Sequence, residues 1–495
     1  MICSGGTDLT AIVAESLKKK TVRGTFWSAV DSISSQGVTF LVGLVLARLL
    51  TPHEYGLIGY IMILVAVFNS IVDSGFSNAL IRKKDAGETD YSTAFIFNLA
   101  VSLVMVAAMV LVAVPFSRFF KEPQLVPLVR VMSVIVVINA LALIQRTRLV
   151  KSVDFKTQTK ASLISSVSSG AVGLAMAFGG LGVWSLVGQQ ISRQLINTVC
   201  LWILNRWKPT WRFSWSSFRE LFGFGWKLLV SGLIDTVWKE IYQLVIGKFY
   251  STSTLGQYTR GKQFSDIFSS NMTSIVQRVS YPVLSSIQDE RERMKEGYRK
   301  IIRTTMLASF VLLFGLSAVA ESLLTVLIGP QWKEAAHYLQ IICFAASLYP
   351  LHAINLNMLQ VQGRSDLFLK LEIVKKIIAV GPLLLGIFID IDWMLWGSLI
   401  TSIIAYFLNA RYSGTLIGYP IKAQIRDILP SFGVAAAMAA CVWPLVFLNL
   451  RPIWMLLVQL CAGAAVAFGL CEAFRLPEYA EIKDTALGFL RRNKK

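Results

Sequence analysis

A stretch near the start of this chain returns at a fixed offset of 200 positions inside a second apolar segment. Leu44-Val-Leu-Ala-Arg-Leu-Leu50 lies against Leu244-Val-Ile-Gly-Lys-Phe-Tyr250, and beyond it Gly56 matches Gly256, Phe68 matches Phe268 and Ser70 matches Ser270. Apolar helices match one another by chance. A cation followed by a glycine at the same spacing, Arg48 with Gly56 and Lys248 with Gly256, is harder to obtain that way. The constraint is therefore a duplicated bundle, whose two halves must each bury the same kind of apolar surface.

That surface faces lipid. Hydrophobic residues make up 55% of the chain and charged residues 16%, and the mean hydropathy is +0.59. A bilayer core requires about 20 apolar residues per helix, and by that criterion about fourteen segments qualify, from 25–48 at the start to 453–474 near the end. The expected fold is an all-α polytopic membrane protein. Connecting loops are short, so no soluble catalytic domain fits between helices. Residues 1–20 are polar, end in Lys18-Lys19-Lys20, and lack a signal peptide's apolar core, so they are expected to be a cytosolic leader.

Lys and Arg gather in alternate loops: Arg82 to Lys84, Arg146 to Lys160, Arg206 to Arg219, Arg291 to Arg303, and the tail with Arg491, Arg492, Lys494 and Lys495. Basic loops stay on the cytoplasmic side, which places both termini inside. The net charge of +19 is then topology and anionic-lipid contact, with no nucleic-acid partner implied. An even number of helices per repeat preserves orientation, so the pseudo-twofold axis is expected along the membrane normal. The linker from Asn205 to Arg219 mixes tryptophans with cations and is expected to lie at the cytoplasmic headgroups.

Several chemistries are excluded or unsupported. Gly256-Gln-Tyr-Thr-Arg-Gly-Lys262 has the start of a phosphate-binding loop, but Gln263 stands where Ser or Thr would bind magnesium, and no strand precedes it. The three histidines, His53, His337 and His352, have no ligand spacing, and the six cysteines, Cys3, Cys200, Cys343, Cys441, Cys461 and Cys471, form no close pair. Neither a catalytic site nor a metal is expected.

Ionisable groups set deep in the helices carry the functional signal. Lys227, Ser231, Asp235 and Lys239 share one face of the seventh segment. Arg260, Gln263, Asn271, Ser274 and Arg278 mark the eighth, while Asp31 with Ser34 and Ser35, and Asn69 with Asp73, mark the first two. Mid-membrane charge costs several kcal/mol unless it is paired or wet. Two readings stay open: internal salt bridges, sufficient for Glu372 with Lys375 and Lys376, or a cationic wet chamber suited to a pyrophosphate.

Leu46-Ala-Arg-Leu-Leu-Thr-Pro-His-Glu-Tyr-Gly56 and Val67-Phe-Asn-Ser-Ile-Val-Asp-Ser-Gly-Phe-Ser-Asn-Ala-Leu-Ile81 resemble the N-terminal signature of polysaccharide-export flippases. So do Asp154-Phe-Lys156, Gly182-Val-Trp-Ser-Leu-Val-Gly-Gln-Gln190 and Ile328-Gly-Pro-Gln-Trp332. The resemblance covers essentially the whole chain and is to the Wzx-like branch of the multidrug/oligosaccharidyl-lipid/polysaccharide exporter superfamily, with its colanic acid and teichuronic acid exporters. It implies two six-helix lobes facing in a V and two appended helices: residues 1–205, a linker over 206–220, a second lobe over 221–420, and 421–495. It also implies transfer of an undecaprenyl-pyrophosphate-linked oligosaccharide (an O-antigen, capsule or exopolysaccharide unit) from the cytoplasmic to the outer leaflet of a bacterial inner membrane by alternating access. On that reading Arg193, Lys239, Arg260, Lys262 and Arg278 hold the pyrophosphate and sugar acids, with Arg260 and Lys262 alternatively interfacial anchors. Asp31, Asp73, Asp235 and Asp266 balance charge or bind a coupling proton or sodium ion; no other cofactor is implied. Partners would be membrane lipids and polymerase or chain-length machinery. The alternatives are a cation-coupled multidrug antiporter, a lipid II flippase, and a membrane polymerase or glycosyltransferase, the last lacking the external loop such enzymes carry.

Overall fold

The computed structural model describes Trp27, residues 34–448 and residues 450–492. Among the described residues all regular structure is helical. The first half runs α1 (Ser34–Leu49), α2 (Pro52–Asp73), α3 (Phe76–Arg82), α4 (Glu88–Phe120), α5 (Leu125–Met132), α6 (Val134–Lys151), α7 (Phe155–Phe178), α8 (Val183–Asn205) and α9 (Trp215–Phe249). The second runs α10 (Thr252–Ser285), α11 (Arg291–Ile328), α12 (Lys333–Ala346), α13 (Tyr349–Val361), α14 (Ser365–Ile378), α15 (Val380–Phe388), α16 (Ile391–Ile417), α17 (Ile421–Val442), α18 (Pro452–Ala473) and α19 (Pro477–Arg492). Among the described residues ten spans are long and apolar enough to cross a membrane, and α1 is a shorter apolar helix. Helix α10 is not among the ten, being rich in hydroxyls and amides, and the apolar stretch 367–389 breaks between α14 and α15. In α10 the polar side chains bond back to their own helix, Thr273 to the Ser269 carbonyl at 2.7 Å and Asn271 to the Ile267 carbonyl at 2.6 Å, which makes such residues tolerable in a lipid-facing bundle.

Contacts divide the chain into two compact units, one through Gly256 and one from Gln257. The repeat places its division in the linker instead, because ancestry and compactness are different properties.

Inside the first unit, the repeated glycines find their explanation. Thr51 caps α2: its hydroxyl accepts from the Glu54 amide, and the Glu54 carboxylate accepts in return from the Thr51 amide at 2.7 Å, a reciprocal capping box. Ser251 caps α10 similarly, accepting from the Thr254 amide at 3.0 Å. The two helix starts then meet. A Cβ placed on Gly56 would lie 1.8 Å from the Thr252 carbonyl oxygen, and one on Gly256 would lie 1.8 Å from that of Pro52. Since Pro52 and Thr252 are themselves 200 positions apart, the contact is reciprocal about a local twofold. The repeated cation is architectural as well, because Lys248 donates to the Phe119 carbonyl at 2.8 Å and lies 3.7 Å over the Phe119 ring. It thereby caps the C-terminus of α4.

Helix α9 is fastened at both ends. Near Phe249, the Tyr60 hydroxyl donates to the Gly247 carbonyl at 2.8 Å. Near Trp215, Gly225 packs on the backbone of Ser74 and Gly75, where any Cβ would meet Ser74 O at 2.7 Å. Phe76, Phe97, Phe218 and Phe222 surround that contact, and Lys83 bridges Glu220 at 2.8 Å and Asp90 at 3.1 Å. The Glu220 carboxylate, more than that of Asp90, holds the Lys83 ammonium above its ordinary value.

The linker expected at the headgroups turns out to be split between two roles. Trp207 is buried and donates to the Glu88 carboxylate at 2.6 Å, which also accepts from Arg148 at 2.7 Å. Thr210 and Ser214 donate their amides to the hydroxyls of Ser92 and Thr93, each at 3.0 Å. These bonds strap the linker to α4. Trp211, Phe213 and Trp215 instead remain exposed, as an interfacial anchor requires.

In the second unit, α11 is the central post against α12, α13, α16, α17 and α18. Its fully buried Tyr298 donates to Asn355 of α13 at 2.8 Å. Arg299 forks onto Asp427 of α17 at 2.5 and 2.6 Å, and Arg303 reaches the buried Glu478 at 2.8 Å, docking α19. Gln257 donates to the Gln331 carbonyl at 2.7 Å and accepts from the Ala335 amide at 3.0 Å, so the Gly-Pro-Gln-Trp turn is a lock for α10.

Two tests follow from this packing. Gly56→Ala and Gly256→Ala should each cost about 1–3 kcal/mol or more by overpacking, seen as lower unfolding midpoints in detergent. Gly433→Ala, which meets nothing within 4 Å, should be neutral or stabilising. Trp207→Ala should cost about 3–5 kcal/mol in the same assay, whereas Trp211→Ala should leave stability unchanged and weaken only partitioning into vesicles.

Candidate functional site

Helix α8 carries Gln190, Arg193, Gln194 and Asn197 at positions i, i+3, i+4 and i+7, a polar stripe on one face. Helix α2 answers with Met62, Val65 and Asn69, and α6 with Ile135, Asn139 and Arg146, each set again on a single face. Together with Ser162 and Ser165 of α7 these side chains enclose a cavity of about 290 Å³ within the first unit. Arg146 donates to the Asn197 amide oxygen at 3.4 Å. The amide oxygen of Asn69 and the amide nitrogen of Gln194 are buried and without a hydrogen-bond partner among the described residues. Leaving such a group unsatisfied costs roughly 1–3 kcal/mol, so both point to an occupant the protein alone does not supply. Among the described residues no carboxylate lines the cavity. Two guanidiniums, those of Arg146 and Arg193, are among the lining groups.

Of the described residues singled out from the sequence, Arg193 and Asn69 line this cavity. Lys239 and Asp235 are exposed on α9, as is Lys227, and Lys239 has no ion-pair partner among the described residues. Arg278 is likewise exposed on α10. Arg260 is buried at 4% exposure, held by the Gln263 side chain and lying 5.9 Å from the Trp332 ring centre. Lys262 pairs with Asp266 one turn on, at 3.3 Å. Asp73 ends α2 and accepts from the Ser77 hydroxyl at 2.6 Å. Asp31 lies outside the described residues. The Glu372 and Lys375 pair is present within α14.

Sequence reasoning missed Arg146, which reads as one more basic loop residue, and the amides of α8. The signal was available as the i, i+3, i+4, i+7 stripe in a segment otherwise fit for lipid.

Most signature motifs are joints of the scaffold. Asp154 caps α7 by accepting from the Thr157 amide at 3.1 Å. Gly182 opens α8 at φ +54, and the Glu54 carboxylate fills the space its Cβ would need. Gly256 and Gly261 of the phosphate-loop lookalike serve helix contacts, Gly261 against the Ala335 carbonyl.

A family model described as "Polysaccharide biosynthesis protein" matches residues 45–337, more than half of the chain. The succinoglycan biosynthesis transport protein ExoT of Rhizobium meliloti (strain 1021) is 25% identical over 83% of this chain and 82% of its own length. The teichuronic acid biosynthesis protein TuaB of Bacillus subtilis (strain 168) is 24% identical over 86% and 88%, and the lipopolysaccharide biosynthesis protein WzxC of Escherichia coli (strain K12) is 22% identical over 80% and 82%. Among solved structures, the lipid II flippase MurJ in an inward closed conformation superposes with a TM-score of 0.70 over 90% of this chain and 98% of that one, at 15% identity. An inward-facing multidrug resistance MATE transporter of the MOP superfamily gives 0.59 over 79% and 98%, at 15% identity. At such identities the likeness is one of fold. With its signature residues placed as the joints of a duplicated helical bundle, this chain belongs to the polysaccharide biosynthesis protein family, on the fold of the MOP superfamily.

Proposed function

We propose that this protein is a flippase that carries an undecaprenyl-pyrophosphate-linked oligosaccharide from the cytoplasmic to the outer leaflet of a bacterial inner membrane by alternating access. The observation that carries the proposal is the cavity of Arg146, Arg193 and amides inside an apolar bundle, in a chain of the polysaccharide family. Guanidiniums held at membrane depth need a wet or anionic counterpart, and amides suit hydroxyl-rich ligands. A multidrug antiporter for cationic compounds would need carboxylates in that place. Lys239 and Arg278, both exposed, are proposed to engage the diphosphate, with Arg260 and Lys262 supporting their ends of α10.

With both termini cytoplasmic, the Gly56 and Gly256 contact belongs to the outer side, and the linker and α19 to the inner side. Coupling to a proton or sodium ion is assigned to Asp235, with Asp31, Asp73 and Asp266 balancing charge. Polymerase and chain-length machinery are the partners that would receive the product.

Deleting the gene should make a completed undecaprenyl-diphosphate oligosaccharide accumulate, read by mass spectrometry of membrane lipids against the parent and a complemented strain. An unchanged pool together with new drug sensitivity would replace export by drug efflux. In the same assay Arg193→Gln, Lys239→Gln and Arg278→Gln should each lower export at least about tenfold, the scale of one charge-assisted contact, while folded protein persists in detergent. Full export in all three would remove these residues from the substrate path. Vesicle transport should respond to an imposed pH or sodium gradient, and indifference to both would return the carboxylates to a structural role.

A further inference from the structure

We infer that an apolar groove of the second unit is a binding site for a polyprenyl phosphate, with the prenyl chain in the groove and the phosphate at its cytoplasmic mouth. The inference rests on the export reading, since the substrate proposed there carries such a chain, and it deepens that reading by placing the lipid on named residues.

The groove follows from the pattern of α17. Ile425, Leu429, Phe432, Ala436 and Ala439 recur at intervals of three and four, which puts them on one face of the helix. Helices α11, α12 and α16 wall that face with Phe310 and Phe314, with Phe344 and Leu348, and with Trp396 and Ile403. The recess between them holds about 570 Å³, within the roughly 300–1,000 Å³ of ligand pockets. From Ile425 to Ala439 the helix rises about 21 Å at 1.5 Å per residue, which is most of a hydrocarbon core of roughly 30 Å. The shape fits an extended hydrocarbon chain lying along α17.

The rings select the kind of chain. Phe432 meets Phe310 and Phe314 edge-on, with ring centres 5.5 Å apart in both pairs, and Phe314 meets Phe344 in the same way at 5.0 Å. Trp396 stacks on Phe344 at 6.2 Å. Each ring is held by another, so the wall is rigid, and Ala436 and Ala439 leave notches beside it. A saturated acyl chain is thin and flexible and gains little from a rigid, corrugated wall. A polyprenyl chain is a row of flat alkenes with a methyl branch on each, and its π faces and branches match ring faces and notches. Phe432 and Trp396 are 42% and 43% exposed, so both are open to that contact.

Charge supplies the other end. Lys422 and Arg426 stand one turn apart on α17, exposed and beside Ile425. The neighbouring carboxylate of Asp427 is buried and accepts from Arg299 at 2.5 Å. On the proposed topology this is the cytoplasmic end of α17. Two cations at the mouth of an apolar groove complement a lipid with an anionic head at the interface, and Lys and Arg are natural partners of phosphate.

Photo-crosslinking of the full-length protein in detergent tests the assignment, with undecaprenyl phosphate bearing a diazirine in its tail as the probe. Labelled peptides are expected from residues 396–403 and 425–439. Unlabelled undecaprenyl phosphate should suppress them, undecaprenol should need at least about tenfold more, the scale of one charge-assisted contact, and dioleoylphosphatidylglycerol at equal concentration should leave them in place. Lys422→Gln combined with Arg426→Gln should bring undecaprenyl phosphate down to the level of undecaprenol, while suppression by undecaprenol persists and reports a folded variant. Ala436→Trp fills a notch at a half-buried position and should abolish labelling with the unfolding midpoint unchanged. Labelling of the unmutated protein spread over other helices, or suppressed equally by the phosphatidylglycerol, would give the groove to bulk lipid and overturn the inference. Full labelling of Ala436→Trp would overturn it too. Accumulation of the lipid-linked pool in the deletion strain, combined with labelling elsewhere, rejects the groove and leaves the flippase standing. The expected labelling with an unchanged pool rejects the flippase and leaves a polyprenyl phosphate site.

Discussion

The contact of two glycines with two carbonyls, Gly56 against Thr252 and Gly256 against Pro52, is the constraint from which much of the first unit follows. Backbones that approach this closely exclude every side chain, so the helix starts of α2 and α10 must be positioned without slack. The capping box of Thr51 and Glu54 and the cap of Ser251 supply that positioning. In a membrane there is no hydrophobic drive between helices, and small residues at the interface are the ordinary means of gaining close packing. The duplication is kept where the two copies meet each other and is free to diverge elsewhere.

The same logic separates two kinds of cation in this chain. Lys248 ends on a helix carbonyl and an aromatic face, and Arg299 and Arg303 end on buried carboxylates. These are structural, since each finds its counter-charge or acceptor within the protein. Arg146 and Arg193 line a cavity beside buried amide atoms that have no hydrogen-bond partner among the described residues. A half-buried charge beside unmet hydrogen-bonding capacity is a feature of binding sites.

How much of this was legible beforehand depended on period and partner. The helices were readable because apolar runs of membrane length have few alternatives. The repeat was readable too, yet its physical meaning was not: Arg48, Gly56, Lys248 and Gly256 looked like a mark of ancestry, and the roles of Lys248 as a cap and of the two glycines as a close approach lie in contacts between residues distant in sequence. Arg193 could be selected as a charge inside a helix, whereas Arg146, counted among loop cations, could not, because its depth depends on where α6 ends. Trp207 and Trp211 have nearly the same local sequence context, and only the strap to α4 buries one and exposes the other. Arg260 and Lys262 illustrate the limit from the other side: the local pattern gives the Lys262 and Asp266 pair, but the ring beneath Arg260 comes from a distant turn.

Helix α9 shows what the fastening implies for function. Its contacts at Gly225 and Gly247 are separated by about 33 Å at 1.5 Å of rise per residue, close to the roughly 30 Å of a hydrocarbon core. The helix is therefore fastened at two points that lie about one hydrocarbon thickness apart. Lys227, Asp235 and Lys239 lie in that interval and are exposed. Facing acyl chains at mid-membrane, residues of this kind cost several kcal/mol each unless paired or wet. Two fixed points with polar side chains between them are the arrangement on which the proposed role of Asp235 and Lys239 in export rests.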